Sequence, residues 1–433
     1  MADITADGYS PARDEEDEAQ DKALTTADGT PLKISLRRSQ ARQRRRAFYL
    51  VAPLLAFLVV TFGWPIAQMT FRSIHNPEVA NYLPETSAAI ADWSGDDVPD
   101  EEVFAAMARD MKTGVEDRTI GRAAARINRE IPGARSLVMS TARDVEEMSP
   151  PYRDAFLAED EDWADLEFWR LIKRETRILT PAYYLLALDF EYNTRGEIVE
   201  RPEVYQVYRL LFWRTAWMSM AITGLCILLG YPIAHLLATL PLRKSNLLMI
   251  LVLLPFWTSL LVRTSAWIVL LQQQGVINDL LVWANIVGDD GRVRMIYNQI
   301  GTIIAMTHIL LPFMILPLYS VMKTIPPSYM RAARSLGATQ FTAFTKIYMP
   351  LTIPGLAAGV LLVFILAIGY YITPALVGGE SGIFISNLIA QNMQGSSAQL
   401  KLASALATIL LVAVLVFYWL FNKLIGVDRL KFG

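Results

Sequence analysis

The chain is poor in the residues that build catalytic and metal centres. Its single cysteine, Cys226, stands inside an apolar run, so no disulfide framework can form. Any part outside a membrane must therefore hold together by packing. Three histidines and that one cysteine leave little material for a zinc site, and no metal ligand set is expected. No Gly-x-x-x-x-Gly-Lys-Ser/Thr occurs, which excludes ATP hydrolysis by the usual phosphate-cradling loop. Carboxylates are missing from most of the chain: about two thirds of the 42 Asp and Glu fall between Glu78 and Glu203. The net charge of −2 thus averages an acidic segment with basic loops, and argues for no nucleic-acid partner.

What is present is apolar length. Hydrophobic residues make up 53% of 433, and six stretches are long enough to cross about 30 Å of hydrocarbon as helices. They cover residues 47–69, 211–240, 247–271, 300–321, 351–377 and 402–425. Lys and Arg near their ends fix the orientation. Arg37, Arg38, Arg42 and Arg44–46 precede the first, and Arg243 and Lys244 lie between the second and third. Lys323, Arg331, Arg334 and Lys346 lie between the fourth and fifth, and Lys423, Arg429 and Lys431 end the chain. These segments share one side, the cytoplasm, with both termini inside.

The expected organisation is a disordered, basic-ended tail (1–46), a first transmembrane helix (47–71), an insertion (72–205), a five-helix core (206–425) and a cytoplasmic C-terminus (426–433). A basic stretch followed by an apolar run also describes a secretory signal. Here the run is full-length and ends in Trp64, Pro65, Met69 and Phe71 without a small-x-small cleavage site, so an uncleaved anchor is expected. The insertion lies on the outer side. Its apolar residues recur at three and four, as from Glu102 to Met111, from Tyr152 to Leu157 and from Trp163 to Ile172, which marks amphipathic helices. Pro99, Pro132-Gly133 and Pro150-Pro151 divide them. The run Glu159-Asp160-Glu161-Asp162 has no calcium-loop spacing and reads as a solvated helix start.

The most informative segment is the cytoplasmic loop at 326–350. Ser328 can cap a short helix from Tyr329 to Leu336, and Gly337 supplies a left-handed turn at its end. A second short helix is expected up to Met349, with Pro350 redirecting the chain. Ala332, Ala333 and Leu336 form a small apolar ridge flanked by arginines, suited to a groove on another protein.

This loop resembles the EAA motif of permeases in binding-protein-dependent ABC importers, with Ala332, Ala333, Gly337, Phe344, Ile347, Pro350 and Pro354 matching. Arg331 stands where glutamate is usual. Leu254-Pro255-Phe256-Trp257-Thr258-Ser259-Leu260-Leu261-Val262-Arg263-Thr264 and Gly369-Tyr370-Tyr371-Ile372-Thr373-Pro374 resemble the spermidine/putrescine-type subfamily, as do Leu229-Gly230-Tyr231-Pro232, Gln274-Gly275-Val276-Ile277-Asn278 and Leu311-Pro312-Phe313. About half the chain is covered, and the insertion is not.

The resemblance implies an all-α integral membrane protein, a type I ABC importer permease with six transmembrane helices and a helical extracytoplasmic insertion between helices 1 and 2. It implies a second permease subunit, two ATPase subunits that use ATP-Mg, and a periplasmic solute-binding protein, in a bacterial inner membrane. Arg331, Ala332, Ala333, Leu336, Gly337, Phe341 and Phe344 would meet the ATPase. Trp257, Thr258, Ser259, Arg263, His308, Tyr370 and Tyr371 are candidates for the translocation path. For Arg263 an ion pair or snorkelling stands beside solute contact, and His308 can instead bond a neighbouring helix. Tyr370 and Tyr371 suit a cation–π cage for an amine or plain packing.

The implied solute is polyamine-type or a related amine. Polyamine permeases often carry an acid where Tyr370 or Tyr371 stands, and the second to sixth spans here hold none. An amino-acid derivative, opine-like compound or quaternary amine is the competing solute. A membrane-anchored sensor or assembly protein is the competing function, one that needs no Gly337-centred loop.

Overall fold

A computed structural model describes residues 32–193 and 195–425. Residues 1–31 of the tail expected at 1–46, and the segment 426–433, lie outside the described residues. The chain divides into two units, 1–68 and 69–433. The first is helical from Leu32, so helix extends through the basic stretch before the apolar run. A π turn at Val59–Gly63 interrupts it, and Trp64 donates its N–H five residues back to Val59. Pro65 follows, and the wider turn keeps its ring clear of the preceding carbonyls.

Five helices are long and apolar enough to cross a membrane: Ser39–Ile74, Tyr208–Thr239, Gln299–Thr324, Gln340–Gly369 and Ser397–Leu424. The expected third span is not straight. Leu242–Trp257 and Leu260–Trp283 meet at a 98° bend, so six crossings exist only if this pair is one. Pro255 sits in a 3₁₀ turn, and Thr258 and Ser259 then run extended before the next helix starts at Leu260. The expected fifth span also ends early, at Gly369, with a separate short helix at Ile372–Val377.

The second, fourth and fifth spans share one core that includes Met218, Ile222, Leu310, Met314, Leu318 and Val363. Their closeness depends on Gly355 and Gly359, a small-xxx-small pair. A Cβ on Gly359 would lie 2.7 Å from the Met314 sulfur, and one on Gly355 2.9 Å from the Pro317 carbonyl oxygen.

The insertion has its own core. Phe104, Phe156, Trp163, Phe168 and Trp169 are buried together, with edge-to-face contacts such as Phe104 on Trp169 at 4.8 Å. The Trp163 indole N–H donates to Thr141 and that of Trp169 to the Trp163 carbonyl, both at 2.9 Å. Each such side chain contributes about 1.5–3 kcal/mol by burial, so this segment stabilises itself by packing. Helices start at Glu101, Ala134 and Tyr152, after the Pro and Gly breaks read in the sequence. The acidic run forms no metal cluster among the described residues. Asp160 instead accepts from the N–H of Asp162 to start a 3₁₀ turn. One departure from an all-helical insertion is the antiparallel hairpin of β1 (Phe190–Tyr192) and β2 (Ile198–Glu200).

A buried polar chain fixes the insertion to the sixth span. Lys401 Nζ donates to Asn76 at 3.0 Å and to Glu78 at 3.1 Å, and Asn76 donates to Glu175 at 2.7 Å. Glu175 also holds buried Arg126 at 2.5 Å. Tyr183 and Ala187 pack with Leu211 of the second span and with Leu402, Ala405 and Leu406 of the sixth. Buried Asp189 accepts from the N–H groups of Val207, Tyr208 and Arg209 at 3.1, 3.1 and 2.7 Å, capping the start of the second span.

Candidate functional site

The loop after the fourth span folds as a short helix, Pro327–Ser335, with Pro326 as its N-cap. The expected cap, Ser328, lies inside the helix. Pro327 has a fixed φ and no N–H to satisfy, so it occupies the first helical position and moves the start back. The C-terminal end is as expected. Gly337 has φ +88°, its N–H reaches the Arg334 carbonyl, and Ala338 N–H reaches that of Ala333, both at 3.0 Å. This paired closure is a Schellman motif.

The helix presents its side chains outward. Leu336 is 89% exposed and Phe341 76%, and Arg331, Ala332 and Arg334 are exposed, while Ala333 is half-buried. Among the described residues neither Arg331 nor Arg334 has a salt bridge. Exposed apolar and cationic groups on a stiff, closed helix are what a protein groove of opposite charge would take.

Phe344 is different: it points inward. Its ring stacks on Tyr348 at 5.6 Å and meets His235 at 5.3 Å and Tyr231 at 6.2 Å edge-on. A cleft of about 720 Å³ lies between loop and spans, walled by His235, Met322, Met330, Phe341, Phe344 and Tyr348. The expected redirection at Pro350 does not occur. A π turn at Phe344–Tyr348 carries Gln340–Ala343 directly into the fifth span, with Met349 N–H on the Phe344 carbonyl. The wide turn accommodates the proline, so the second half of the loop, from Gln340, and the fifth span are one continuous helix.

The path candidates divide into two groups. Arg263, on the helix after the bend, lies within electrostatic reach of both His308 and Tyr370. Its Nε is buried and has no hydrogen-bond partner among the described residues. His308 Nδ1 accepts from the Trp267 indole at 3.1 Å, the helix-to-helix bond that sequence offered as the alternative to solute contact. Trp267 was not singled out in the sequence, since one tryptophan in an apolar span carries no signal of its partner. Tyr370 and Tyr371 mark the break ending the fifth span, where Ser386 takes the Tyr370 carbonyl at 2.5 Å and Asn387 that of Tyr371 at 2.6 Å. Non-helical backbone at membrane depth is tolerated when its carbonyls are satisfied in this way.

The structure does not draw Trp257, Thr258 or Ser259 into that cluster. They occupy the bend itself, with Trp257 74% exposed, and it is the neighbouring Phe256 that meets the fourth span through Phe313 at 5.0 Å. Tyr371 is exposed as well.

The family described as binding-protein-dependent transport system inner membrane component matches residues 227–425. The spermidine/putrescine transport system permease protein PotB of Haemophilus influenzae is 33% identical over 263 residues, 58% of this chain and 90% of that protein. The chain belongs to this family of ABC importer permeases. PotB of Escherichia coli K12 is 35% identical over 216 residues, 48% of this chain and 76% of that protein. A solved bacterial ABC transporter that imports the acidic polysaccharide alginate aligns with a TM-score of 0.41 at 20% identity, covering 51% of this chain and 80% of that one. The permease is a multi-pass inner membrane protein, and the residues matched by the family model, 227–425, begin after the insertion.

Proposed function

We propose that this permease forms half of the path through which a small amine-bearing solute, of polyamine type, enters a bacterial cell. A periplasmic binding protein delivers the solute, a second permease completes the path, and two separate subunits spend ATP-Mg. No cofactor is assigned to this chain. The carrying observation is the stiff helix Pro327–Ser335, closed at Gly337 and joined by the short turn 336–339 to the helix that runs from Gln340 through the π turn into the fifth span. A groove on an ATPase that moves this helix would move the span with it, the arrangement expected of a two-state lever. Arg331, Ala332, Ala333, Leu336, Gly337 and Phe341 make the contact, and Phe344 transmits it to Tyr231 and His235. On this reading both termini lie in the cytoplasm and residues 72–205 in the periplasm.

The amine reading draws on the names of the PotB relatives and on the aromatic pair Tyr370 and Tyr371. With no carboxylate on the five straight spans of this subunit, charge complementarity to the solute falls to the second permease and the binding protein. The test is ATP-driven uptake by the full assembly in liposomes. Accumulation of labelled spermidine or putrescine, blocked by excess of either, is expected. Accumulation of another amine that neither polyamine blocks would replace the assigned solute.

A further inference from the structure

Exposed apolar residues are distributed unevenly over the insertion. From residue 76 to 177 the large apolar side chains are inside, and Val115 alone is exposed among the described residues. From 178 to 207 seven are exposed: Ile178, Leu179, Leu188, Ile198, Val204, Tyr205 and Val207. Ile198 is 57% exposed and Val204 86%. A soluble domain that buries so much in one part and so little in another has a second apolar environment against it.

The fold states where that environment lies. Asn76 N–H bonds the Ile178 carbonyl at 2.7 Å and Thr180 N–H bonds that of Ile74 at 2.8 Å, so residues 178–180 run beside the end of the helix that closes at Ile74. At the other end, Val204, Tyr205 and Val207 directly precede the second span at Tyr208, whose start is fixed by Asp189. A few residues of chain reach only about 3.3–3.6 Å each, so these side chains stay close to the level at which the span enters lipid. Leu210, Trp213 and Trp217 in the first turns of that span are exposed as well. Tyr205 and Trp213 are the side chains that favour the headgroup region.

We propose that residues 178–207, with the hairpin of β1 and β2, are a membrane foot: they seat the insertion in the lipid interface beside the second span. The hairpin turn keeps its polar groups, as Asn193 and Glu197 bond each other at 2.8 Å and Arg195 stays exposed, which fits an interfacial and not a spanning element. The foot and the Lys401 chain together hold the insertion at a fixed height.

The test uses the full chain in lipid nanodiscs with an environment-sensitive fluorophore on Ile198→Cys, on Val204→Cys and on the control Val115→Cys, each in a Cys226→Ala background. The expected result is loss of most emission at 198 and 204 on adding lipids with a nitroxide near the headgroup, and none at 115. Aqueous iodide should give the reverse. Two results overturn the proposal. One is 198 and 204 behaving like 115. The other is probes shielded from iodide yet untouched by the lipid nitroxide, which would mean that protein covers this face.

Discussion

Gly355 and Gly359 decide how closely the fourth and fifth spans approach, since a Cβ on either meets Pro317 or Met314 inside contact distance. Gly359→Val is expected to destabilise the permease by about 1–3 kcal/mol through overpacking, read as a lower unfolding temperature in detergent. Unchanged stability would show that the spans can part freely. Arg126 is the second residue with a definite cost. Arg126→Ala leaves Glu175 buried with less charge to balance it, and about 3–5 kcal/mol of insertion stability should be lost, seen in denaturant melts by tryptophan emission. Sequence showed some of these residues and hid others. Gly337 was legible because a glycine closing a short helix has one common use, and its φ of +88° agrees. Ser328 was misplaced because Pro327 makes the better first helical residue. The Arg126–Glu175 pair was not legible, as its members are 49 positions apart.

Among elements, the apolar runs located the spans but not their breaks. Hydropathy passes smoothly over Pro255, Thr258 and Ser259, while the backbone there turns by 98°. The π turn before Pro350 was equally invisible, because sequence names the proline and not the widened turn that tolerates it. That turn bears on the proposed coupling. Phe344 sits at its start, between the exposed loop and the rings of Tyr231, His235 and Tyr348. Phe344→Ala is expected to keep the ATPase bound but lower solute moved per ATP hydrolysed, since the contact face is unchanged and the transmitting ring is gone. Equal stoichiometry in the variant and the parent would remove Phe344 from the lever.

At the scale of the whole molecule, the insertion is held to the permease core by Lys401, Asn76 and Glu78, a link that no sequence pattern announces across 325 positions. Burial raises the Glu78 pKa, but hydrogen bonds from Ser397 and Lys401 and the Lys401 and Arg129 charges outweigh it, leaving it below its ordinary 4.5. A carboxylate so depressed stabilises the native state fully above its unfolded pKa and ceases to do so as pH falls through the folded value. The link should therefore hold at neutral pH and loosen below about the ordinary carboxylate range, with amide exchange rising around Asn76 to Tyr82. Exchange that is flat with acid would contradict this.

The central claim is that the loop closed by Gly337 couples a separate ATPase to the fifth span. It is tested most directly by purifying the permease assembly with Gly337→Pro, which forbids φ +88° and removes the N–H bonded to Arg334. The account predicts that the permease still inserts and folds but no longer co-elutes with ATPase subunits or supports ATP-driven uptake. Full co-elution and uptake in that variant would contradict it.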